Sequence, residues 1–151
     1  MTNKVKVTLK SVIRWSKEDE ELLDKKIIKN FYELLNSSEE DGLYWTGMTC
    51  DLIDLAHIVW ESGLLLDDNG HPMEFREIVH TICKVLHVHE PRNPSSVISA
   101  VRARKNIRVS SIRDRYLHLI HDGKILDPMR LDIRFGKRAK HLFMLIQKKK
   151  K

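Results

Sequence analysis

The sequence predicts a mainly α-helical protein, a helix-turn-helix or winged-helix-like helical domain with an N-terminal helix and a short strand-containing basic C-terminal tail. Three observations predict it: apolar residues recur at helical spacing in six stretches, capping residues precede several of them, and basic residues gather late in the chain. The 151 residues suffice for one compact domain with extensions. We expect an N-terminal strand or arm plus helix over 1–42, a helical core over 43–123 and a basic extension over 124–151.

The first two helices are predicted from capping residues and apolar spacing. Residues 4–10 alternate between polar and apolar, which indicates a short strand or an extended arm. Ser16 followed by Asp19 is typical of a helix N-cap, and the apolar stripe behind it ends near residue 36. A second helix is predicted over 49–62, ended by Gly63. The residues expected to be buried are Leu23, Ile27, Phe31 and Leu34 in the first helix, and Leu52, Ile53, Ala56, Val59 and Trp60 in the second.

A third helix is predicted after a turn. The pair Asn69-Gly70 accepts the positive φ angles of a turn, and Pro72 is expected at the first helical position behind it. The helix should run over about 73–87. Its inward face is expected to carry Phe75, Ile78, Val79, Ile82, Val85 and Leu86.

Serine residues mark the starts of two more helices. Ser95 or Ser96 is expected to cap a fourth helix that ends near Lys105. Ser111 and Asp114 form another capping pattern, for a fifth helix that ends at the glycine at position 123. The expected inward residues are Val97, Ile98 and Val101 in the fourth helix, and Ile112, Tyr116, Leu119 and Ile120 in the fifth.

The segment over 131–147 admits two assignments. Leu131, Ile133 and Phe135 alternate with polar residues, which is a strand pattern, whereas apolar residues over 139–146 recur at helical spacing. We expect a strand followed by a helix. The alternative is a two-stranded wing with its turn at Gly136-Lys137.

Charge is divided unevenly along the chain. Residues 1–91 carry a net charge of −7 and residues 92–151 a net charge of +13. Between residues 92 and 115 there are seven basic side chains and one acid, and Arg and Lys of this kind neutralise phosphates while Ser contacts backbone oxygens. A solvated charged helix face is the simpler alternative. The candidate DNA-binding residues are Arg102, Arg104, Lys105, Arg108, Arg113, Arg115, Ser95 and Ser96.

The helix order also favours double-stranded DNA as the partner. Predicted helices over 49–62, 73–87 and 95–105, of which the last is basic, match the count of a tri-helical helix-turn-helix core. The connection over 87–95 is longer than the usual tight turn of that motif. The alternative to DNA binding belongs to a different class of function. It is a protein-interaction adaptor or accessory factor that docks an acidic partner, without catalytic activity.

Other classes of function find little support in the sequence. His80, Cys83 and His87 share one predicted helix face, but no second ligand pair accompanies them, so we expect surface histidines and no metal site. The acid pairs Asp51 with Asp54 and Asp67 with Asp68 fit a helix start and a turn. No Gly-rich phosphate loop or catalytic motif occurs. We therefore expect no enzyme, no cofactor and no small-molecule substrate.

The compartment expected from the sequence is the cytoplasm. The longest apolar run, over 142–146, is far shorter than the ~20 residues that span a bilayer, so no membrane partner is expected. The N-terminal residues lack the apolar core of a secretory signal. Cys50 and Cys83 are accordingly expected to be reduced thiols.

Several short motifs between Tyr44 and Leu119 form a pattern that covers about half of the chain. They are Trp45-Thr46-Gly47, Leu52-Ile53-Asp54-Leu55, Glu61-Ser62-Gly63, Asn69-Gly70, Phe75-Arg76-Glu77-Ile78, Arg102-Ala103-Arg104-Lys105 and the short helix from Ser111. In these motifs the chain resembles the C-terminal domain of the RteC family, regulators associated with conjugative transposons of Bacteroides and relatives.

The resemblance implies a DNA-binding transcriptional regulator linked to a mobile genetic element, acting by occupancy of its site. Arg102, Arg104 and Lys105 are the implied DNA-facing residues, and Trp45 and Thr46 are implied to be structural. The chain departs from the family, whose members carry a much longer N-terminal region, and its tail after residue 123 has no counterpart there. A palindromic target site would imply a homodimer.

Overall fold

The computed structural model of the protein describes residues 15–105 and 111–136, without the side chains of Arg104 and Lys105. Its α-helices are α1 (Lys17–Leu35), α2 (Thr49–Ser62), α3 (Phe75–Val85), α4 (Pro94–Lys105) and α5 (Ile112–His121). Short 3₁₀ turns lie at Glu39–Asp41 and Pro128–Asp132, and the strands are β1 (Leu43–Trp45) and β2 (Ile133–Phe135). The prediction of a mainly helical fold is confirmed. The expected strand over 4–10, Arg108 and the second half of the 131–147 segment lie outside the described residues.

The predicted caps account for the ends of three helices. The Ser16 hydroxyl accepts a hydrogen bond from the Asp19 amide at 3.1 Å, and the Ser111 hydroxyl accepts one from the Asp114 amide at 3.0 Å. Each bond satisfies a backbone donor that the first turn of a helix leaves without an intrahelical partner. Gly63 ends α2 with φ of +65°, as its lack of a Cβ allows.

The start of α3 differs from the prediction. The helix begins at Phe75, whereas Pro72 lies before it and forms an isolated antiparallel bridge with Leu66. The Met73 amide donates to the carbonyl of Leu65 at 2.8 Å. These contacts pair the backbone segments on the two sides of the 67–70 turn. The chain therefore stays extended through Pro72, and the helix starts only after it.

The end of α3 depends on a histidine in the left-handed region. His87 has φ of +59°, while the Val88 amide donates to the Cys83 carbonyl at 2.8 Å and closes a Schellman motif. A non-glycine residue in this region is strained. The His87 ring offsets the strain, since it stacks on Tyr44 at 4.2 Å and its Nδ1 donates to the Leu43 carbonyl at 2.8 Å.

One hydrophobic cluster joins all the described segments. The predicted stripe of α1 is fully buried and packs with side chains of α2, α3 and α5, and Met129 near the C-terminal strand lies in the same cluster. The described parts of the three predicted ranges, 15–42, 43–105 with 111–123, and 124–136, therefore share one core. Two assignments on α2 were wrong: Trp60 is 42% exposed, and Leu55, omitted from the predicted stripe, is fully buried.

The two strands form a long-range antiparallel pair. Leu43 pairs with Phe135 and Trp45 with Ile133. The Thr46 amide extends the contact by donating to the Asp132 carbonyl at 2.8 Å, and the Trp45 indole donates to the Met48 carbonyl at 2.8 Å, immediately before α2. The strand predicted over 131–135 is present over 133–135 only, because residues 131 and 132 belong to the preceding 3₁₀ turn, and its partner among the described residues is β1.

Polar contacts hold the segment before β2 against the helices. Asn30 is buried in α1, where its amide donates to Asp127 at 2.8 Å and its oxygen accepts from Arg130 at 2.9 Å. The Tyr116 hydroxyl on α5 donates to Asp132. Burial first, and then the hydrogen bond and charge of that carboxylate, raise the pKa of Tyr116 above its ordinary value. No helix within the described ranges has the length and apolarity to cross a membrane.

The core assignment predicts a large difference between two leucine truncations. Leu23→Ala should lower the free energy of unfolding by about 2–5 kcal/mol, because Leu23 is fully buried and truncation leaves a cavity. Leu126→Ala is the matched control, since Leu126 is mostly exposed, and should change it by less than about 0.5 kcal/mol. Chemical denaturation followed by circular dichroism measures both, and equal losses would contradict the assignment.

Candidate nucleic-acid interface

Helix α4 lies on the outside of α2, with one face buried and the other open to solvent. Ile98 and Val101 are buried, with Pro94 at the start of the helix. No carboxylate occurs in the α4 sequence. Among the α4 residues whose side chains the structure describes, the exposed ones are short, apart from one guanidinium: Ser95, Ser96, Ser99, Ala100, Arg102 and Ala103.

The N-terminus of α4 is capped by a residue that sequence reasoning missed. The Ser96 amide donates to the side-chain oxygen of Asn93 at 3.3 Å and to its carbonyl at 3.1 Å. Asn is as good an N-cap as Ser, and here it stands directly before Pro94, a favoured first helical residue. The assignment of Ser95 or Ser96 as the cap was therefore wrong. Both hydroxyl groups instead lie exposed in the first turn of α4.

Arg102 is held loosely by two groups on α2. Its guanidinium lies 3.2 Å from Nδ1 of His57 and 3.9 Å from the Glu61 carboxylate. The same Nδ1 lies 3.0 Å from Glu61. In the neutral ring that nitrogen either accepts from Arg102 or donates to Glu61, so the two contacts compete. Since Arg102 and Glu61 are both more than half exposed, the contact adds little stability and leaves the guanidinium accessible.

A cluster of three aromatic rings, of which Trp60 is the most exposed, adjoins Arg102. The His57 ring lies 5.3 Å from both the Trp60 and Phe75 rings, so it joins this pair to the guanidinium of Arg102. Helical spacing assigned Trp60 to the core because it continues the apolar stripe of α2. It is partly exposed because it stands in the last turn of that helix, just before Gly63.

Arg113 and Arg115 face acidic helices of the same chain. Arg113, 28% exposed, contacts Glu20 and Asp24 of α1 at 3.3 Å. Partial burial opposes its charge, but the hydrogen bonds and charges of the two carboxylates outweigh that cost and raise the pKa of Arg113. Arg115 bonds to Asp51 at the start of α2. Both side chains therefore bind α5 to its neighbouring helices. The side chains of Arg104, Lys105 and Arg108 lie outside the described residues.

The three residues weighed as metal ligands do not share a face. Cys83 is buried, His80 is exposed and contacts Glu90 at 2.7 Å, and His87 turns to the Leu43 carbonyl beyond the end of α3. Burial, with a smaller effect from Glu90, raises the pKa of Cys83 to about 12. Over residues 15–105 and 111–136, no cluster of three or more His, Cys, Asp or Glu side chains could hold a metal ion.

One carboxylate of each acid pair has a structural partner that an ion pair or hydrogen bond identifies. Asp51 bonds to Arg115, as described above. Asp67 accepts the amides of Asn69 at 2.8 Å and His71 at 3.0 Å, which fixes the turn before Pro72. The His71 bond is the main cause of a lowered pKa of Asp67.

Comparison with protein families, with characterised proteins and with solved structures finds no match to this chain.

The different surroundings of two arginines predict different effects on stability. Arg113→Gln should lower the free energy of unfolding by about 1–2 kcal/mol, because Glu20 and Asp24 lose a partly buried partner. Arg102→Gln should lower it by less than about 0.5 kcal/mol. Urea denaturation of both variants measures the difference, and a larger loss for Arg102→Gln would refute this division of roles.

The two thiols should differ in reactivity. Cys50 is partly exposed, whereas Cys83 is buried, and its raised pKa leaves almost no thiolate at about pH 8. We expect a thiol reagent to label Cys50 in the native protein and Cys83 only after denaturation. Cys50→Ser should abolish the native labelling. Labelling of Cys83 at the native Cys50 rate would disprove the burial of this side chain.

Proposed function

We propose that the protein binds double-stranded DNA through α4 and acts as a transcriptional regulator by occupying its site. The observation that carries the proposal is the outward face of α4, which combines short side chains with Arg102 and has no carboxylate of its own. The major groove, about 12 Å wide, admits a helix of this kind.

The residue types on this face suit contacts with base edges and phosphates. Ser hydroxyls bond to any base or to phosphate oxygens, Ala packs against the thymine methyl group, and Arg reads guanine. Ser95 and Ser96 stand in the first turn of α4, where the positive end of the helix dipole favours an anion. Short side chains also allow the α4 backbone to approach the bases closely.

Basic residues next to this face supply the electrostatic part of the proposal. Arg104 and Lys105 occupy the last turn of α4, and Arg108 follows in the sequence. The Lys148–Lys151 run would add phosphate contacts that do not depend on base sequence. Arg113 and Arg115 contribute less to the proposal, because carboxylates of α1 and α2 already neutralise them.

The helix-turn-helix assignment remains part of the proposal. Its support is the order of α2, α3 and α4 and the packing of both α3 and α4 against α2. Residues 86–93 separate α3 from α4, a longer connection than the tight turn of that motif. The resemblance to RteC regulators is the basis for a role linked to a mobile genetic element. A homodimer would fit a palindromic site.

The proposal predicts salt-dependent binding that depends on Arg102. Fluorescence anisotropy with a labelled duplex should show affinity falling as salt rises, because phosphate contacts release counterions. Arg102→Ala should weaken binding roughly 5- to 100-fold, within the range for loss of an arginine contact. Lys17→Ala, on α1, removes the same charge from an exposed position and should change affinity less than about threefold.

Two outcomes would overturn the proposal. One is DNA affinity that responds neither to salt nor to Arg102→Ala. The other is equal affinity for duplex DNA and for heparin, which favours the adaptor function with an acidic partner. In that case a pull-down from nuclease-treated lysate should still capture a specific protein partner, and the Arg102→Ala variant should fail to capture it.

A further inference from the structure

A groove on the protein surface has a mainly apolar smaller part and a mixed polar and apolar larger part, with exposed apolar side chains along it. It runs between α1 and the segment over 64–73, in two adjoining parts of about 620 and 370 Å³. Tyr32, Leu64 and Leu65 line both parts, and Met73 lies in the larger one. Tyr32 and Leu64 are 61% and 66% exposed, and Leu66 beside them is 56% exposed. Large apolar side chains grouped in this way are typical of an interaction surface.

Charges of opposite sign stand at the two ends of the groove. Lys25 and Lys29 line the smaller part, whereas Asp67, Asp68 and Glu77 line the larger part. Lys25 lies seven residues before Tyr32 on α1, which places it about 10 Å along the helix from the apolar centre. The smaller part of the groove is therefore basic, the larger part is acidic, and the apolar side chains of Tyr32, Leu64 and Leu65 are shared by both parts.

We propose that this groove is the interface of a homodimer, and that a second copy of the chain is its occupant. A two-fold axis that passes near Tyr32 and Leu64 relates the two copies. Their grooves then face each other and run antiparallel. The lysine end of each copy then meets the acidic end of its partner, while the apolar centres meet each other. A surface with this charge order is complementary to itself, which is the condition for a two-fold interface.

The charges at both ends are available for such contacts. Among the described residues, Lys25, Lys29, Asp68 and Glu77 form no ion pair. All four are exposed. This contrasts with Arg113, Arg115 and Arg130, whose charges are matched within the chain.

The proposed dimer adds an oligomeric state to the proposed function. Its relevance to DNA binding rests on that function. Two copies of α4 related by a two-fold axis would suit a palindromic site. Dimerisation itself requires no DNA. A monomer that binds DNA would overturn the dimer alone, and a dimer that ignores DNA would overturn the proposed function alone.

Sedimentation equilibrium of the full chain, without DNA, tests the interface. The parent should reach twice the chain mass as concentration rises and dissociate on dilution. Leu64→Asp should weaken the dimer about tenfold or more, because it puts a charge in the apolar centre. Leu126→Asp, at an exposed leucine outside the groove, is the control and should leave the dimer unchanged. A parent that stays monomeric, or a Leu64→Asp dimer as tight as the parent, overturns the proposal.

Charge reversal gives a test that does not disturb the core. Lys25→Glu/Lys29→Glu should dissociate, since two acidic ends then meet, and Asp68→Lys/Glu77→Lys should dissociate because two basic ends meet. Mixing these two variants should restore a heterodimer, since both end contacts become attractive again. Two variants that dimerise like the parent, or a mixture that stays monomeric, would overturn the two-fold arrangement. Circular dichroism of each variant confirms folding.

Discussion

The fold depends on the burial of one face of α1. Its four stripe residues, Leu23, Ile27, Phe31 and Leu34, are essentially inaccessible to solvent. Each contributes about 1.5–3 kcal/mol of transfer free energy, less the cost of ordering the side chain. α1 contacts α2, α3, α5 and the turn over 128–132, so the remaining helices are positioned against it. α4, which packs on the far side of α2, is thereby left with a whole face turned to solvent.

The acidic and basic parts of the sequence form ion pairs with each other within the folded chain, in addition to charging its surface. Arg113 and Arg115 on α5 and Arg130 beyond it come from the basic part of the chain, and they pair with carboxylates of the acidic part, on α1 and α2. Segregation of charge along a sequence therefore does not imply its segregation in space. The α4 face differs because its sequence contains no acid and because Arg102, its basic residue with a described side chain, is held only by the exposed contacts to His57 and Glu61.

Features fixed by neighbours in the sequence were predictable. The caps at Ser16 and Ser111, the glycine that ends α2 and the buried stripe of α1 each depend on residues within a few positions. These local features determine the starts of α1 and α5, the end of α2 and the contribution of α1 to the core.

Features fixed by distant parts of the chain were missed. His87 ends α3 because Leu43 and Tyr44, far away in sequence, offset its strained backbone. Cys83 is buried although helical spacing placed it on the polar face of α3. For the candidate interface, the position of α4 was predictable, but the pairing of Arg113 with α1 was not, because it requires the tertiary arrangement.

The pairing of β1 with β2 has a consequence for the order in which the chain folds. Trp45 and Ile133 are about ninety residues apart in sequence, and closing so long a loop costs conformational entropy before the strands return any contact energy. The helices that lie between the two strands in sequence reduce this cost, because their packing brings the strands close together before they pair. On the ribosome, β1 emerges long before β2, so its edge stays unpaired until α2, α3, α4 and α5 have been synthesised. During that interval β1 is exposed to mispairing with another nascent chain.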